Sequence, residues 1–266
     1  MRYTIATLIS ICFILSASPS FSHRGDSFDI RIVPDKGGEF LTVPFKDTKR
    51  KRTHVIKKYL EAKKGENYSI TIKNNTAGRI GVVIAVDGRN IITGKKSFLK
   101  NNEDMYIVNP YGYTKLEGWR TDQNTVYRFY FTDKSDSYTI RTFGDSSAIG
   151  VIAVTVFREK ERPEILYEKQ MRGKKVPGAA SRPSAKSESG LYESDTAGTG
   201  FGYEKYSPAV KVKFEPERVP SKKLLVKYEW HEILCNKGLI KCWQEEHNRL
   251  WDEDEYAPFP PGYIYR

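Results

Sequence analysis

The sequence predicts an all-β protein: an antiparallel β-sandwich, with a C-terminal strand pair joined to it by a flexible linker. Three observations carry this expectation. Several short segments alternate apolar and polar side chains with a period of two, which sends successive residues to opposite faces of a pleat. Clusters of Gly, Pro, Asn and Asp separate these segments at the spacing of turns in a sandwich. No stretch of helical period interrupts the series, which disfavours a parallel α/β sheet.

Residues 1–22, MRYTIATLISICFILSASPSFS, join Arg2 to an apolar run from Ile5 to Leu15 that ends in small residues and Pro19. This is the pattern of a secretory signal peptide, and the run is too short for a membrane span. A basic N-terminal segment, 23–58, follows with two strand-like pieces, FDIRIV and FLTVPF, and opens the densest basic stretch, KDTKRKRTHVIKKYLEAKKG. At its centre stand Lys49, Arg50, Lys51 and Arg52, readable either as an electrostatic docking patch or as a solvated connector.

The sandwich itself is expected over 59–160. In NYSITIK, Tyr68, Ile70 and Ile72 share one face, as in a half-buried strand. RIGVVIAV is apolar almost throughout, as a central strand covered on both faces would be. Asp87 and Gly88 then supply the positive-φ chemistry of a tight hairpin, with Arg89 and Asn90 expected at its tip. MYIV (105–108), TVYRFYFT (125–132), SYTIRTF (137–143) and IGVIAVTVF (149–157) read as further strands. Residues 161–197 are rich in Gly, Ser, Pro and Lys and cannot bury enough apolar surface to offset ordering, so they read as the flexible linker. In 198–242, AVKVKF (209–214) and KKLLVKYEW (222–230) alternate and are expected to pair with each other, since a strand needs a partner. Residues 243–266 form an aromatic, Pro-rich tail.

The chain of 266 residues carries a formal net charge of +11. That balance favours anionic partners, and export replaces chromosomal nucleic acid with an envelope polymer or another exported protein. No second apolar stretch reaches about 18 residues, so no membrane span is expected. Cys12 leaves with the signal peptide. Cys235 and Cys242 then read as a disulfide, worth about 2.5 kcal/mol in the chain-entropy model for so short a loop. The alternative is a zinc set completed by His231 and His247, but the spacing matches no common zinc motif and oxidation competes outside the cytoplasm. No metal and no cofactor is expected.

Two motifs touch on catalysis. FGDSSAIG holds Ser146 in a Gly-Asp-Ser, but a nucleophilic serine needs a base and an oxyanion hole, and a strand follows directly. GTGFG (198–202) lacks the strand before and helix after that a phosphate loop needs, and reads better as a hinge. No catalytic residue is assigned. NPYGYTKLEGWR places Tyr111, Tyr113, Trp119 and Arg120 in a long loop. Such aromatics can stack on sugar rings, while Trp119 can equally plug one end of the sandwich.

Taken in order, VDGRNIITGK, GWR, FYFT, IGVIAVTVF, GTGFG, KYEW and LCNKG resemble a group of uncharacterised bacterial exported β-rich proteins. The resemblance implies that the sandwich and the C-terminal strands form one unit. It implies no activity, cofactor or catalytic residue. The function expected is that of an exported, non-enzymatic envelope protein that binds or scaffolds an anionic or carbohydrate partner. The alternatives are a subunit that joins a surface assembly by strand addition and a serine hydrolase acting through Ser146.

Overall fold

The computed structural model describes residues 27–161 and 196–242. The expected signal peptide, residues 162–195 of the linker expected over 161–197, and the tail over 243–266 lie outside the described residues, while Ala197 belongs to a strand. In chain order the first strands are β1 (Phe28–Pro34), β2 (Thr42–Arg50), β3 (Thr53–Glu61), β4 (Asn67–Asn74), β5 (Ile80–Val86), β6 (Arg89–Asn90) and β7 (Tyr106–Val108). There follow β8 (Tyr113–Leu116), β9 (Gly118–Arg120), β10 (Thr125–Asp133), a short helix α1 (Tyr138–Phe143), and β11 (Val151–Arg158). The chain closes with β12 (Ala197–Thr199), β13 (Glu204–Tyr206), β14 (Lys222–Glu229) and a second short helix, α2 (His231–Asn236).

These strands form two sheets, one in the order β1-β4-β10-β12 and one in the order β2-β3-β14-β11-β5-β6, with the shorter strands attached to β4, β5 and β10. Their inner faces share one hydrophobic cluster. Ile30, Ile70, Phe129 and Phe131 enter it from the first sheet, and Leu60, Ile84, Val154, Leu224 and Val226 from the second. Tyr68 stacks on Phe131 at 4.4 Å and on Phe129 at 5.3 Å between ring centroids, the offset geometry that aromatic quadrupoles favour. The protein is therefore an all-β sandwich. Its sheets draw on strands from both sides of 59–160: β1 and β2 precede that range, β3 crosses its start, and β12 to β14 follow it.

The apolar run over 80–86 behaves as its composition requires, since every residue of β5 is buried. Asp87 and Gly88 take φ of 49° and 79°, both positive as in a two-residue type I′ hairpin, and Val86 pairs with Arg89 across it.

Four local expectations are corrected. Residues 137–143 are helical: Ser137 caps α1 by accepting from the Ile140 amide at 3.3 Å, and Gly144 ends it at φ 61° with its N–H on the Ile140 carbonyl. A serine N-cap and a glycine at the left-handed stop outweigh the alternation between them. Residues 209–214 are extended but belong to no ladder. Val210 is 85% exposed, while Phe214 lies beside Gly81 and Met105. The two C-terminal segments consequently do not pair with each other. Instead β14 lies between β3 and β11, parallel to the first and antiparallel to the second.

The fourth correction concerns 198–202, which is not a hinge. Ala197, Gly198 and Thr199 pair with β10, and each glycine marks a close approach. A Cβ on Gly198 would lie 2.6 Å from the Ser137 side chain, one on Gly202 would lie 2.8 Å from the Arg128 carbonyl, and one on Gly200 would enter the Tyr130 ring. Gly200→Ala should therefore cost about 1–3 kcal/mol through overpacking. A urea titration checks this, and an unchanged midpoint would refute the packing role.

Candidate functional site

The hairpin of β2 and β3 carries the basic stretch, and the register of the second sheet decides what it faces. Lys222 at the start of β14 pairs in register with His54 of β3, while the His54 amide donates to the Ser221 carbonyl at 2.9 Å. At the same end of the sheet β11 finishes at Arg158, whose guanidinium lies 5.7 Å from the Phe28 ring centroid. These elements enclose an open cavity of about 510 Å³, with Lys49, Arg52, His54, Arg158 and Lys222 in its wall and Glu217 as the one lining carboxylate. The Lys222 ammonium is buried and donates to the Phe28 carbonyl at 2.8 Å, which fixes its position. His54 Nε2 lies 2.6 Å from Asp47 Oδ1. Among the described residues Lys49, Arg52 and Arg158 form no ion pair. Their charge is therefore left to solvent or to a ligand.

A second cavity, of about 890 Å³, lies between β7 and the extended 208–216 segment. Its charges balance: Arg79, Arg120 and Lys211 stand against Glu103, Asp104 and Asp122.

The most perturbed carboxylate lies elsewhere, in the core. Asp87 Oδ1 accepts from the Gly150 amide at 2.8 Å and the Tyr228 hydroxyl at 2.5 Å, and Oδ2 accepts from the Thr199 amide at 2.8 Å. The Thr199 hydroxyl links Tyr228 at 2.7 Å to Tyr68 at 2.9 Å. Burial pushes the Asp87 carboxyl up to about 6, against the opposing pull of the Tyr228, Thr199 and Gly150 donors. Burial also raises both phenols, so they stay protonated. Neither cavity is lined by Asp87, Thr199, Tyr68 or Tyr228. The network ties the β5–β6 hairpin to β4, β11, β12 and β14, and its chemistry is that of a latch.

The residues singled out from sequence separate accordingly. Lys49 and Arg52 line the basic cavity. Arg50 and Lys51 are exposed on the same hairpin, with Lys51 in the turn at φ 50°. Arg89 and Asn90 are not displayed at a tip. Arg89 pairs with Asp145 at 2.9 Å and lies 4.0 Å from the Phe143 ring centroid. Asn90 is buried, donating to the Asp104 carbonyl and accepting from the Ile92 amide, each at 2.9 Å. Both hold the 91–104 loop and the α1 region against the hairpin. Tyr111 and Tyr113 are exposed. Trp119 is a core residue whose indole N–H donates to the Gly200 carbonyl at 3.0 Å. Arg120 spends its guanidinium on the carbonyls of Asp122, Gln123 and Ser207 and on the Tyr106 hydroxyl, so it too is structural.

Cys235 and Cys242 are disulfide-bonded, with Cα atoms 4.9 Å apart, while His231 pairs with Glu61 at 3.1 Å. Ser146 is exposed, and among the described residues no hydrogen bond joins its hydroxyl to an imidazole. Among the described residues no group of three His, Cys, Asp or Glu side chains could hold a metal ion, and no helix is long and apolar enough to cross a membrane. Arg158, His54, Glu217 and Lys222 went unnoticed in the sequence. Each is an ordinary surface-type residue within its own segment, and the pairing of β14 with β3 on one side and β11 on the other brings them together.

Fold and site together define a β-sandwich protein with a basic cavity at one end of its second sheet. No family model, curated protein or solved structure matches the chain.

Proposed function

We propose that this is an exported, non-enzymatic protein of the cell envelope that binds an anionic or carbohydrate partner, and that the basic cavity is where binding occurs. The observation that carries this reading is the convergence of Lys49 and Arg52 from the β2–β3 hairpin and Arg158 from the end of β11 on one concavity with a single lining carboxylate. Side chains kept near one another despite mutual repulsion gain when an anion arrives. Strand addition is less well supported, because β14 already has a hydrogen-bonded neighbour on each side. The edge strand β2 is interrupted by a bulge between Pro44 and Lys46 and carries charged side chains, features that blunt an edge against pairing.

Retention of the purified chain on envelope material should fall steeply as salt rises from about 50 to about 500 mM, because exposed charge is screened. The Lys49→Glu/Arg52→Glu variant should lose most of its low-salt retention. Retention indifferent to both salt and these substitutions would overturn the proposal.

A further inference from the structure

The extended segment beside the second cavity points to a partner of another kind. We propose that residues 210–214 form an open β-edge that takes one extended strand of another polypeptide, with acidic and apolar side chains alternating along it. This is independent of the basic cavity, whose wall contains none of these residues.

The backbone carries the argument. Residues 209–214, AVKVKF, alternate as a strand does and are extended, yet they lie in no ladder. Among the described residues the amides of Val210, Lys211, Val212, Lys213 and Phe214 donate to no acceptor. Of their carbonyls only that of Lys213 accepts, from the Arg79 guanidinium at 3.3 Å. Both ends of the run are nevertheless fixed. The Ala209 amide donates to the Gln123 carbonyl, and the Glu215 carbonyl accepts from the Lys160 amide, each at 2.8 Å. The run is therefore held extended before any partner arrives, which lowers the ordering cost of pairing. A row of unpaired donors and acceptors on extended backbone is the template that strand addition uses.

Side chains set the partner. Val210, Val212 and Phe214 leave one face of the run, and Lys211 and Lys213 leave the other. Val210 is 85% exposed and Val212 52% exposed. Among the described residues neither lysine forms an ion pair. A second copy pairing antiparallel about Val212 would set Lys211 opposite Lys213 twice, and like charges directly opposite are destabilising. The lysines thus guard the edge against the protein's own copies, while acidic side chains opposite them and apolar ones opposite the valines gain on both faces.

There is room for such a strand. The cavity of about 890 Å³ runs between this segment and β7, with Ile92, Met105 and Tyr106 in its wall. Two of its cations are already spent, Arg79 on Glu159 at 2.8 Å and Arg120 on backbone carbonyls. What it offers is apolar surface and free backbone.

Hydrogen exchange of the purified full chain, with and without peptide, tests this, and fluorescence anisotropy of labelled peptides gives the affinities. The probes are Thr-Glu-Val-Glu-Val-Thr, a scrambled Glu-Glu-Thr-Val-Val-Thr, and Thr-Lys-Val-Lys-Val-Thr. In the free chain the amides of 210–214 should exchange as fast as open peptide, and saturating alternating acidic peptide should slow them at least tenfold. The scrambled and lysine peptides should bind at least tenfold more weakly. Val212→Pro should weaken the acidic peptide at least tenfold without lowering the thermal midpoint, because the amide it removes has no partner in the fold. Lys211→Glu/Lys213→Glu, which alters exposed side chains only, should reverse the preference toward the lysine peptide.

Protection of 210–214 already present in the free chain overturns the proposal. If that protection grows with protein concentration, a second copy covers the edge; if it does not, another part of the same chain does. Peptide binding unchanged by Val212→Pro overturns backbone pairing, and a preference unmoved by the charge reversal overturns the partner's chemistry. Failure of all three peptides to bind overturns both.

Discussion

Asp87→Ala is expected to lower the unfolding free energy by about 4–6 kcal/mol, a large share of the 5–15 kcal/mol typical of a domain. The carboxylate serves the Gly150 amide, the Thr199 amide and the Tyr228 hydroxyl, all buried, and each donor left without an acceptor costs about 1–3 kcal/mol. Alanine also tolerates the positive φ of position 87 less well than Asp. Asp87→Asn keeps one acceptor oxygen and should cost less, about 2 kcal/mol.

The pair of variants also tests the titration. Burial raises the Asp87 carboxyl from the ordinary value near 3.8 to about 6, so the folded chain holds this proton more tightly than the unfolded chain. Its contribution to stability is full below about pH 4 and is lost as pH rises through about 6, a change of about 3 kcal/mol for two pH units of displacement. Urea midpoints measured from pH 4 to 7 should show this decline in the wild type, and the slope should be absent in Asp87→Asn. Parallel slopes in both proteins would show that Asp87 is not the titrating group.

Arg128→Met should cost about 3–5 kcal/mol despite nearly conserving volume. The Arg128 side chain is almost fully buried, its guanidinium paired with Asp35 and, at 2.8 Å, with Glu117, beneath the Tyr203 ring. Removing it strands carboxylates that differ in what they retain. Glu117 keeps Lys205 at 2.8 Å and Lys115 at 3.3 Å. Asp35 keeps the Ser69 hydroxyl at 3.0 Å. The loss should therefore fall mainly on Asp35, and a double-mutant cycle reads it directly. Arg128→Met combined with Asp35→Asn should cost at least 1 kcal/mol less than the sum of the single changes. Additive costs would mean that Arg128 acts through packing alone.

How much of this was legible depends on how local each cause is. The β5 strand and its Asp87-Gly88 turn could be read residue by residue, because apolar continuity and positive φ are properties of the segment itself. The turn aspartate's second role could not. Its partners Gly150, Thr199 and Tyr228 come from distant parts of the chain, and nothing in VDGRN announces them. Trp119 had two readings in sequence, and its indole N–H settled on the carbonyl of Gly200, a position read as part of a hinge. In 137–143 alternation competed with capping, and the caps at Ser137 and Gly144 prevailed. Half of the basic cavity, Lys49 and Arg52, was visible as a charge run; Arg158 and Lys222 were not, since isolated cations carry no pattern.

The sequence by itself determined the all-β class, the positions of most long strands, the β5–β6 turn and the pairing of Cys235 with Cys242, because alternation, turn chemistry and cysteine count act within a few residues. Tertiary structure decided the partners. It placed β14 parallel to β3 rather than against 209–214, in an interior position between β3 and β11 where both of its edges are hydrogen-bonded and Leu224, Val226 and Tyr228 are buried. That one long-range choice sets Lys222 opposite His54, and so creates a cavity that none of its contributing segments contains alone.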